Sequence, residues 1–312
     1  MRYDLAPMEG ITTYIYRAAF ARYFGGIDRY YTPFLASMRL SSREKNEVLP
    51  EHNEGMELVP QILTNRTDEF LEIAKALEAY GYREVNLNLG CPSGTVVSKH
   101  RGAGFLGVPQ QLDAFLQEIF EKCPIKISIK TRIGVEDESE WEDILGVYEK
   151  YPISELIIHT RLQQDFYREP TRPHTFVQAQ ERLQIPLCYN GDITSPETLI
   201  RLEQQIPELN QIMIGRGLIA DPNLIRRLRG EPCVGKDTYA AFMEALLSDY
   251  STKMTGGERV TLYKMKEIWV YLGNSFTNPD RYLKKIKKAN RIADYELAVK
   301  ELFREQELKE SE

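Results

Sequence analysis

Short apolar segments recur along the chain, and helix-like patterns separate most of them. Apolar residues within 68–80 fall at helical spacing, and Gly81 then suits the position just after a helix. A second such stretch begins at Pro109, because proline is favoured at the first position of a helix. Eight other segments have the length and residue types of strands: 3–7, 29–32, 58–63, 84–89, 125–131, 155–159, 187–190 and 211–214.

Strands that alternate with helices over residues 3–214 predict an α/β fold with a parallel sheet. We expect a (β/α)8 TIM barrel in preference to an open doubly wound sheet, because no strand is followed by a GxGxxG turn. After residue 236 the apolar spacing is helical. We therefore predict two domains, a catalytic barrel over 1–235 and a smaller all-helical domain over 236–312.

Composition and charge narrow the class of protein. A chain of 312 residues can bury a large core, and its apolar runs are too short and too often interrupted by charges to span a membrane. Its start lacks the apolar region of a signal peptide, and cysteines 91, 123, 188 and 233 form neither a CxxC pair nor zinc-ligand spacing. These features predict a cytoplasmic protein without a metal site. The net charge of -6 disfavours nucleic-acid binding by the surface as a whole, but it permits a local basic patch.

The stretch 88–93, Asn-Leu-Gly-Cys-Pro-Ser, follows an apolar strand and carries a single thiol. Gly90 interrupts the strand pattern and Pro92 lacks the N–H that would continue it, so Cys91 is expected at a strand's carboxyl end. From this spacing alone, a packed structural cysteine and a reactive one remain equally open. The long, glycine-containing loop that follows, with basic residues at 99–101, favours a functional role.

Polar residues stand at the ends of the other predicted strands too, where a barrel carries its active site. Lys130 would need a partner or a place near the barrel mouth, because the interior is apolar. Gln61 offers both a donor and an acceptor to a flat heterocycle, and His159 is either a core histidine or a ligand contact. The glycine turns at 190–192 and 215–217 suit a phosphate, although ordinary tight turns have the same composition.

Basic residues gather in the C-terminal part of the chain. Lys264 and Lys266 precede a basic stretch at 281–291 that includes Lys284, Lys285 and Lys288. A solvated helix face and a surface that contacts RNA phosphates are both consistent with this pattern.

The ordered set of motifs resembles the tRNA-dihydrouridine synthase family, and it is most similar to the bacterial C-type subgroup. The resemblance runs from residue 2 to about residue 230 and continues more weakly beyond. Single motifs are weak, whereas their order is highly specific. The motifs are Ala-Pro-Met-Glu-Gly at 6–10, Gln61, the 88–93 stretch, Gly-Ala-Gly at 102–104, Lys-Thr-Arg at 130–132, His-Thr-Arg at 159–161, Asn-Gly-Asp at 190–192 and Ile-Gly-Arg-Gly at 214–217.

The resemblance implies an FMN-bound barrel that reduces the C5–C6 double bond of D-loop uridines in tRNA, with NADPH reducing the FMN. It implies that Cys91 donates the proton to C5, since a thiol with a pKa of about 8.5 is largely protonated at neutral pH. It also implies a monomer acting at a single uridine, with position 16 preferred over 20. The implied FMN contacts are Pro7, Met8, Glu9, Gln61, Lys130, His159, Asn190, Gly191, Asp192, Gly215 and Arg216. The implied tRNA contacts are Asn88, Arg132, Arg161, Lys264, Lys266, Lys284, Lys285 and Lys288.

Two positions depart from the family pattern. Gly94 stands where many members have a lysine, and the segment 32–36 lacks an arginine that some members place against tRNA. Two other functions stay open: an FMN-dependent reductase of a small pyrimidine, of the dihydroorotate or dihydropyrimidine dehydrogenase type, and a non-catalytic tRNA-binding module. The first gives no role to the basic C-terminal residues, and the intact Cys91 disfavours the second.

Overall fold

The computed structural model describes residues 1–309, within which parallel strands form a single sheet. The sheet has the order β3-β2-β1-β9-β8-β7-β6-β5-β4. Its strands are β1 Arg2–Leu5, β2 Arg29–Tyr31, β3 Leu58–Val59, β4 Gln61–Ile62, β5 Glu84–Leu89, β6 Lys126–Arg132, β7 Leu156–His159, β8 Leu187–Asn190 and β9 Gln211–Ile214.

Helices follow or precede these strands along the chain. Short 3-10 helices at Pro50–His52, Gly102–Phe105 and Gly273–Ser275 supplement them. The α-helices are α1 Tyr14–Tyr23, α2 Ser42–Val48, α3 Thr67–Ala79, α4 Gly94–Val97, α5 Pro109–Lys122, α6 Glu140–Tyr148, α7 Pro173–Arg182, α8 Pro196–Gln205, α9 Arg216–Ala220, α10 Leu224–Arg229, α11 Lys236–Lys253, α12 Gly257–Leu272, α13 Asp280–Lys288 and α14 Ile292–Glu305.

The sheet closes into a barrel at Pro60, which separates β3 from β4. Proline has no N–H to donate, so it interrupts the ladder and divides one predicted strand in two. The two pieces pair with opposite neighbours, because β3 pairs with β2 whereas β4 pairs with β5. A single residue of the chain, Pro60, therefore separates the two edge strands of the sheet. The predicted TIM barrel with a helical C-terminal region is confirmed, and the eight predicted strands correspond to β1–β9.

The predicted helix boundaries are also confirmed where a special residue marks them. α3 ends at Ala79, and Gly81 follows with a φ of 96°. The N–H of Gly81 donates to the carbonyl of Glu78 at 2.8 Å, and the N–H of Tyr82 donates to the carbonyl of Leu77 at 3.2 Å, as in a Schellman motif. α5 begins at Pro109, as its missing N–H favours.

The described chain groups into two compact units, which we treat separately. The barrel unit contains Met1–Pro7, Asp28–Ile193 and Glu197–Ile214. The helical unit contains Met8–Ile27, Thr194–Pro196 and Gly215 onward. The predicted domain boundary at residue 235 stays a prediction. No helix formed by residues 1–309 combines the length and the apolar character needed to cross a bilayer.

Aromatic packing forms the core of the helical unit. Phe242 of α11 packs edge-on against Tyr16 and Phe24, with ring centroids 5.7 and 5.1 Å apart. Trp269 of α12 is almost fully buried, and its indole N–H donates to the hydroxyl of Tyr295 at 2.7 Å. Burying these large rings stabilises the unit, and the indole keeps a hydrogen-bond partner as buried polar groups require.

An ion-pair network closes the amino ends of the strands in the barrel unit. Glu155, directly before β7, is 2% exposed and accepts a hydrogen bond of 3.0 Å from the Tyr31 hydroxyl. Its carboxylate also pairs with Arg2 and lies 3.5 Å from Arg29. Tyr31 also belongs to a buried hydrophobic cluster of the barrel unit with Ala6, Val59, Ile157, Cys188 and Met213.

We expect Glu155→Ala to lower the free energy of unfolding by about 3 kcal/mol, because two arginines would lose a buried partner. Urea titration followed by tryptophan fluorescence measures this quantity. Glu57→Ala is the matched control: Glu57 also pairs with Arg29, but its side chain is 62% exposed. The control should change stability by less than about 1 kcal/mol, and equal losses in both variants would contradict a special contribution from burial.

Candidate active site

Several predicted site residues lie side by side at the carboxyl ends of the barrel strands. Asn88 of β5 pairs with Lys130 of β6, and Arg132 pairs with His159 of β7. His159 in turn pairs with Asn190 of β8. The parallel register therefore brings residues that are far apart in sequence to one end of the sheet, as the barrel prediction requires.

The turn carrying Cys91 is fixed by the side chain of Asn88. The Oδ1 atom of Asn88 accepts the N–H of Gly90 at 3.0 Å and the N–H of Cys91 at 2.9 Å. Asparagine forms such local turns readily, and here it stands at the point where the β5 ladder ends. Cys91 is half-buried at the strand end, where the sequence predicted it.

The side-chain amide of Asn88 begins a chain of buried hydrogen bonds, in which only one assignment of donors and acceptors is possible. Backbone N–H groups only donate, so Asn88 must present Oδ1 to the turn and Nδ2 to the barrel. Its Nδ2 donates to Oε1 of Gln61 at 2.7 Å, and Nε2 of Gln61 donates to Oδ1 of Asn86 at 2.8 Å. Nδ2 of Asn86 then donates to the hydroxyl of Ser128 at 3.0 Å. This chain of hydrogen bonds fixes the orientation of the Gln61 amide as well as that of Asn88.

Asn86 and Ser128 were not among the predicted site residues. Both are fully buried, and both face the same way as a predicted site residue two positions further on, Asn88 and Lys130 respectively. The alternation of Asn86 and Asn88 with apolar residues was the signal that could have identified the first. Their partners in the chain of hydrogen bonds come from other strands, so only the structure shows what they hold.

The Gly-Ala-Gly motif packs directly against the Cys91 turn. The N–H of Ala103 donates to the carbonyl of Cys91 at 3.1 Å. Gly102 has a φ of 56°, and a Cβ there would lie 2.8 Å from the carbonyl oxygen of Cys91 and 3.0 Å from its Cβ. Only glycine fits this close approach without displacing the turn.

The loop between Cys91 and this motif is held by hydrogen bonds with residues 65 and 69, which lie outside the loop. Arg101 donates to a carboxylate oxygen of Glu69 at 2.8 Å, and Asn65 donates to the carbonyl of Lys99 at 3.0 Å. Residues Gly94–Val97 form α4. Of the three basic residues at 99–101, Arg101 is thus committed to an ion pair, whereas Lys99 and His100 are exposed.

Arg132 is fully buried, and its guanidinium donates to three backbone carbonyls. Nε reaches Gly90 at 3.0 Å, Nη1 reaches Leu162 at 2.6 Å and Nη2 reaches Phe166 at 2.8 Å. The first of these bonds ties Arg132 to the Cys91 turn. The structure thus places Arg132 as a support of the turn, and its predicted contact with tRNA stays a prediction.

Lys130 is the cation of this strand end. Its ammonium donates to Oδ1 of Asn190 at 3.0 Å, and Nδ2 of Asn190 donates to the carbonyl of Met213 at 2.8 Å. Burial, together with the positive charge of Arg132, lowers the pKa of Lys130 to about 8. At neutral pH this side chain is therefore still mostly a cation, and an anion placed beside it would stabilise that charge.

Arg161 joins His159 to Asp192 across neighbouring strands. Its Nη1 lies 3.2 Å from Nε2 of His159 and donates to Oδ1 of Asp192 at 3.1 Å, and Nη2 pairs with the other carboxylate oxygen. A guanidinium only donates, so Nε2 of His159 is the acceptor and a neutral ring carries its proton on Nδ1. Arg161 is 2% exposed, and its predicted contact with tRNA is untested.

The turn after β8 has the backbone form that the sequence suggested. Gly191 has a φ of 151°, and a Cβ there would lie 2.6 Å from a methyl carbon of Thr171. Asp192 follows with a φ of 42°, an uncommon value for a residue other than glycine. Strain of this kind is tolerated where neighbours fix the backbone, and the pairing of Asp192 with Arg161 does so here.

The other predicted FMN contacts divide between the units. Pro7 is the last residue of the first barrel segment, whereas Met8, Glu9, Gly215 and Arg216 belong to the helical unit. Arg216 opens α9 directly after Gly215.

The predicted tRNA lysines of the helical unit differ in their surroundings. Lys264 donates to the carbonyl of Gly10 at 2.7 Å, and Lys266 donates to the carbonyl of Ala289 at 2.5 Å. Lys285 pairs with Glu301 at 2.5 Å. Lys284 and Lys288 are exposed on α13.

We expect Lys130→Met to stabilise the ligand-free protein by about 1 to 3 kcal/mol at pH 7, because it removes a charge whose desolvation lowers the pKa. The folded chain releases the Lys130 proton near pH 8 and the unfolded chain near its ordinary 10.5. The unfolded state therefore binds more protons between these values, and the wild-type free energy of unfolding should rise with pH there relative to the variant. Urea titrations from pH 7 to 10 measure the difference.

Lys126→Met, an exposed lysine of the same strand, is the matched control. It should show neither the stabilisation at pH 7 nor the change in pH dependence. A Lys130→Met variant that is less stable than the wild type at pH 7 would contradict the expectation.

Comparison with known proteins agrees with the motif order. A family model described as Dihydrouridine synthase (Dus) matches residues 4–307. The chain is 27% identical over 308 residues to the tRNA-dihydrouridine(16) synthase of Shewanella oneidensis, covering 92% of this chain and 93% of that one. It is 28% identical over 265 residues to the enzyme of the same name from Aquipseudomonas alcaligenes, covering 80% and 82%. It is also 28% identical over 239 residues to tRNA-dihydrouridine synthase B of Pasteurella multocida, covering 76% and 71%.

Solved structures share the barrel at much lower identity. Morphinone reductase superposes with a TM-score of 0.52 at 13% identity, covering 76% of this chain and 88% of that one. Histamine dehydrogenase from Rhizobium sp. 4-9 gives a TM-score of 0.56 at 12% identity, covering 86% and 49%. Likeness at these identities concerns the fold, whereas the family model spans nearly the whole chain. The chain belongs to the dihydrouridine synthase (Dus) family of enzymes.

Proposed function

We propose that this protein reduces the C5–C6 double bond of a D-loop uridine in tRNA to 5,6-dihydrouridine, with bound FMN as cofactor and NADPH as reductant. Family membership and the names of the Shewanella and Aquipseudomonas relatives support this reaction. The observation that carries the proposal is the Cys91 turn: Asn88, which pairs with Lys130 in the sheet, binds the backbone N–H of half-buried Cys91 just past the end of β5.

The donor set of the barrel unit fits a flavin mononucleotide. The flavin ring presents carbonyl oxygens and becomes anionic on reduction, and Lys130 offers a partly buried cation beside the Asn190 amide. Thr171 packs so closely on Gly191 that only glycine fits this turn, and Arg161 neutralises Asp192 next to it. Reduced FMN would supply a hydride to C6 of uracil. We propose as FMN contacts Pro7, Met8, Glu9, Gln61, Lys130, His159, Asn190, Gly191, Asp192, Gly215 and Arg216.

Cys91 is the proposed proton donor. Addition of a hydride at C6 leaves an electron pair that moves toward C5 and O4 of the ring, and a proton delivered to C5 completes the reduction. The Cys91 thiol gives up this proton and recovers one from water afterwards. Because Asn88 binds both N–H groups of the turn, the backbone that carries the thiol is held in place without substrate.

The proposed tRNA surface rests mainly on α13. Lys284 and Lys288 are exposed there and can approach phosphates, whose contacts supply most of the affinity for RNA. Lys285 shares its charge with Glu301, and Lys266 is bound to the end of α13. A uridine within folded tRNA must leave its stack before it can reach the half-buried thiol of Cys91. The RNA contacts of Asn88, Arg132 and Arg161 would then be with the extruded nucleotide.

We propose position 16 as the target. The relatives from Shewanella and Aquipseudomonas carry this number in their names. The Pasteurella relative, at comparable identity, is named synthase B and carries no number. The target position is therefore the most specific part of the proposal, and locating dihydrouridine in the tRNA sequence tests it directly.

We expect Cys91→Ala to bind FMN like the wild type and to reduce tRNA uridine roughly a hundred- to ten-thousand-fold more slowly, because only the proton donor is lost. Single-turnover oxidation of the reduced protein by unmodified tRNA, followed at the flavin absorbance, measures the step. Cys123→Ala is the matched control, since it removes another half-buried thiol. Unchanged turnover in Cys91→Ala would exclude this thiol as the donor, and oxidation by free orotate instead of tRNA would indicate a small-pyrimidine reductase.

Unmodified tRNA incubated with the protein, FMN and NADPH should gain dihydrouridine at position 16 and not at 20. Reverse transcription after borohydride reduction, or mass spectrometry of nuclease fragments, locates the modified residue. The same tRNA with cytidine at position 16 is the control and should gain none. Dihydrouridine spread over several D-loop positions would contradict the single-site assignment while leaving the reaction intact.

A further inference from the structure

The turn formed by residues 8–12 lies in the helical unit and follows the first barrel strand along the chain. The N–H of Met8 donates to the Thr12 hydroxyl at 2.8 Å, and the N–H groups of Ile11 and Thr12 both donate to the carbonyl of Met8 at 3.0 Å. Arg17, which is fully buried, donates to the carbonyl of Thr12 at 2.9 Å. The turn 8–12 is therefore a closed local structure that contains two of the proposed FMN contacts.

One carbonyl of this turn is bound by a residue from a distant helix. Gly10 has a φ of 80°, and its carbonyl accepts the ammonium of Lys264 from α12 at 2.7 Å. The ammonium also lies 3.3 Å from a carboxylate oxygen of Glu267, one turn further along α12. The Lys264 side chain is only 15% exposed, so little of it is available to a phosphate in solution.

The surroundings of Lys264 differ from those expected of an RNA contact. A lysine that serves phosphates keeps its ammonium in water until RNA arrives, as exposed Lys284 on α13 does. Lys264 instead spends two of its three donors on Gly10 and Glu267. An RNA phosphate would have to displace a carbonyl and a carboxylate to reach it.

We propose that Lys264 is a positioning residue for the turn 8–12, and so for the FMN contacts Met8 and Glu9, and that it is not a tRNA contact. This inference rests on the proposed function. It gives α12 a part in holding the cofactor loop, in addition to any part that the C-terminal helices take in binding RNA. A charge-assisted hydrogen bond to a backbone carbonyl suits this role, since it fixes one peptide plane of a left-handed glycine.

Lys264→Met in the full-length protein tests the proposal, with Lys284→Met as the matched control. Met keeps the length of the side chain and removes its donors. Glu9 is exposed, so a glutamate-specific protease can report opening of the turn at the bond between residues 9 and 10, followed by mass spectrometry on the folded protein. The FMN dissociation constant and the salt dependence of tRNA binding are measured on the same proteins.

The rate of cleavage at the 9–10 bond decides the question. We expect Lys264→Met to be cut about tenfold faster than the wild type and to bind FMN several-fold more weakly, with the salt dependence of tRNA binding unchanged. Lys284→Met should be cut at the wild-type rate. Wild-type cleavage in Lys264→Met, with a salt slope reduced by about 0.8, would overturn the proposal and return Lys264 to the RNA surface.

Lys264→Arg replaces Lys264→Met if the latter does not fold. Arginine keeps the charge that a phosphate needs, but its wider guanidinium does not fit where a Cβ on Gly10 would already lie 3.3 Å from the ammonium. Faster cleavage with an unchanged salt slope supports the proposal, and wild-type cleavage overturns it. Failure of the wild type to bind FMN would count against the proposed function, whereas the protease rate would still report on the turn.

Discussion

The two hydrogen bonds from the Cys91 turn to Asn88 Oδ1 are the contacts on which the candidate active site depends. They force the Asn88 carboxamide into one orientation. Because each amide donates only from its nitrogen, the orientation of Asn88 determines that of Gln61, and Gln61 determines that of Asn86. The same buried hydrogen bonds therefore hold the turn that carries the proposed proton donor and the amide of the proposed flavin contact Gln61. Breaking any of them would leave an unpaired polar group in the barrel.

The barrel unit has its stabilising ion-pair network at the amino ends of the strands and its candidate active site at the carboxyl ends. At the amino ends of the strands, the buried Glu155 carboxylate pairs with Arg2 and Arg29 and accepts a hydrogen bond from Tyr31. At the carboxyl ends, Lys130 stands beside the neutral amide of Asn190 and has a pKa lowered by burial. An under-neutralised cation destabilises a protein on its own and favours an anionic ligand. The stabilising network at the amino ends of the strands can thus offset the cost of the buried Lys130 cation at the carboxyl ends.

Sequence patterns predicted the strands and their ends well. The alternation of apolar and polar residues and the missing N–H of proline depend only on neighbouring residues in the chain. Asn88 and Cys91 were predictable for this reason. Partners were not predictable, because they depend on which residues the fold brings together: Lys264 meets Gly10 across 254 positions of the chain. Arg132, expected at the substrate, donates to backbone carbonyls from two loops that no local pattern relates. The charge and spacing of Lys264 and Arg132 in the sequence do not distinguish a contact with substrate from a contact with backbone carbonyls.

The contact between Gly102 and the Cys91 carbonyl has an evolutionary consequence. Since any side chain at 102 would strike the turn, the glycine motif and the thiol turn can change only together. Val96 and Val97 of the intervening loop also lie within 3 Å of the Cβ positions of Gly102 and Gly104, whereas Gly94 has open space around its Cβ position. Position 94 can therefore change, as in its departure from lysine, without displacing these packed residues. Residue 94 can thus vary among relatives while the packing of Gly102 on the Cys91 turn is inherited unchanged.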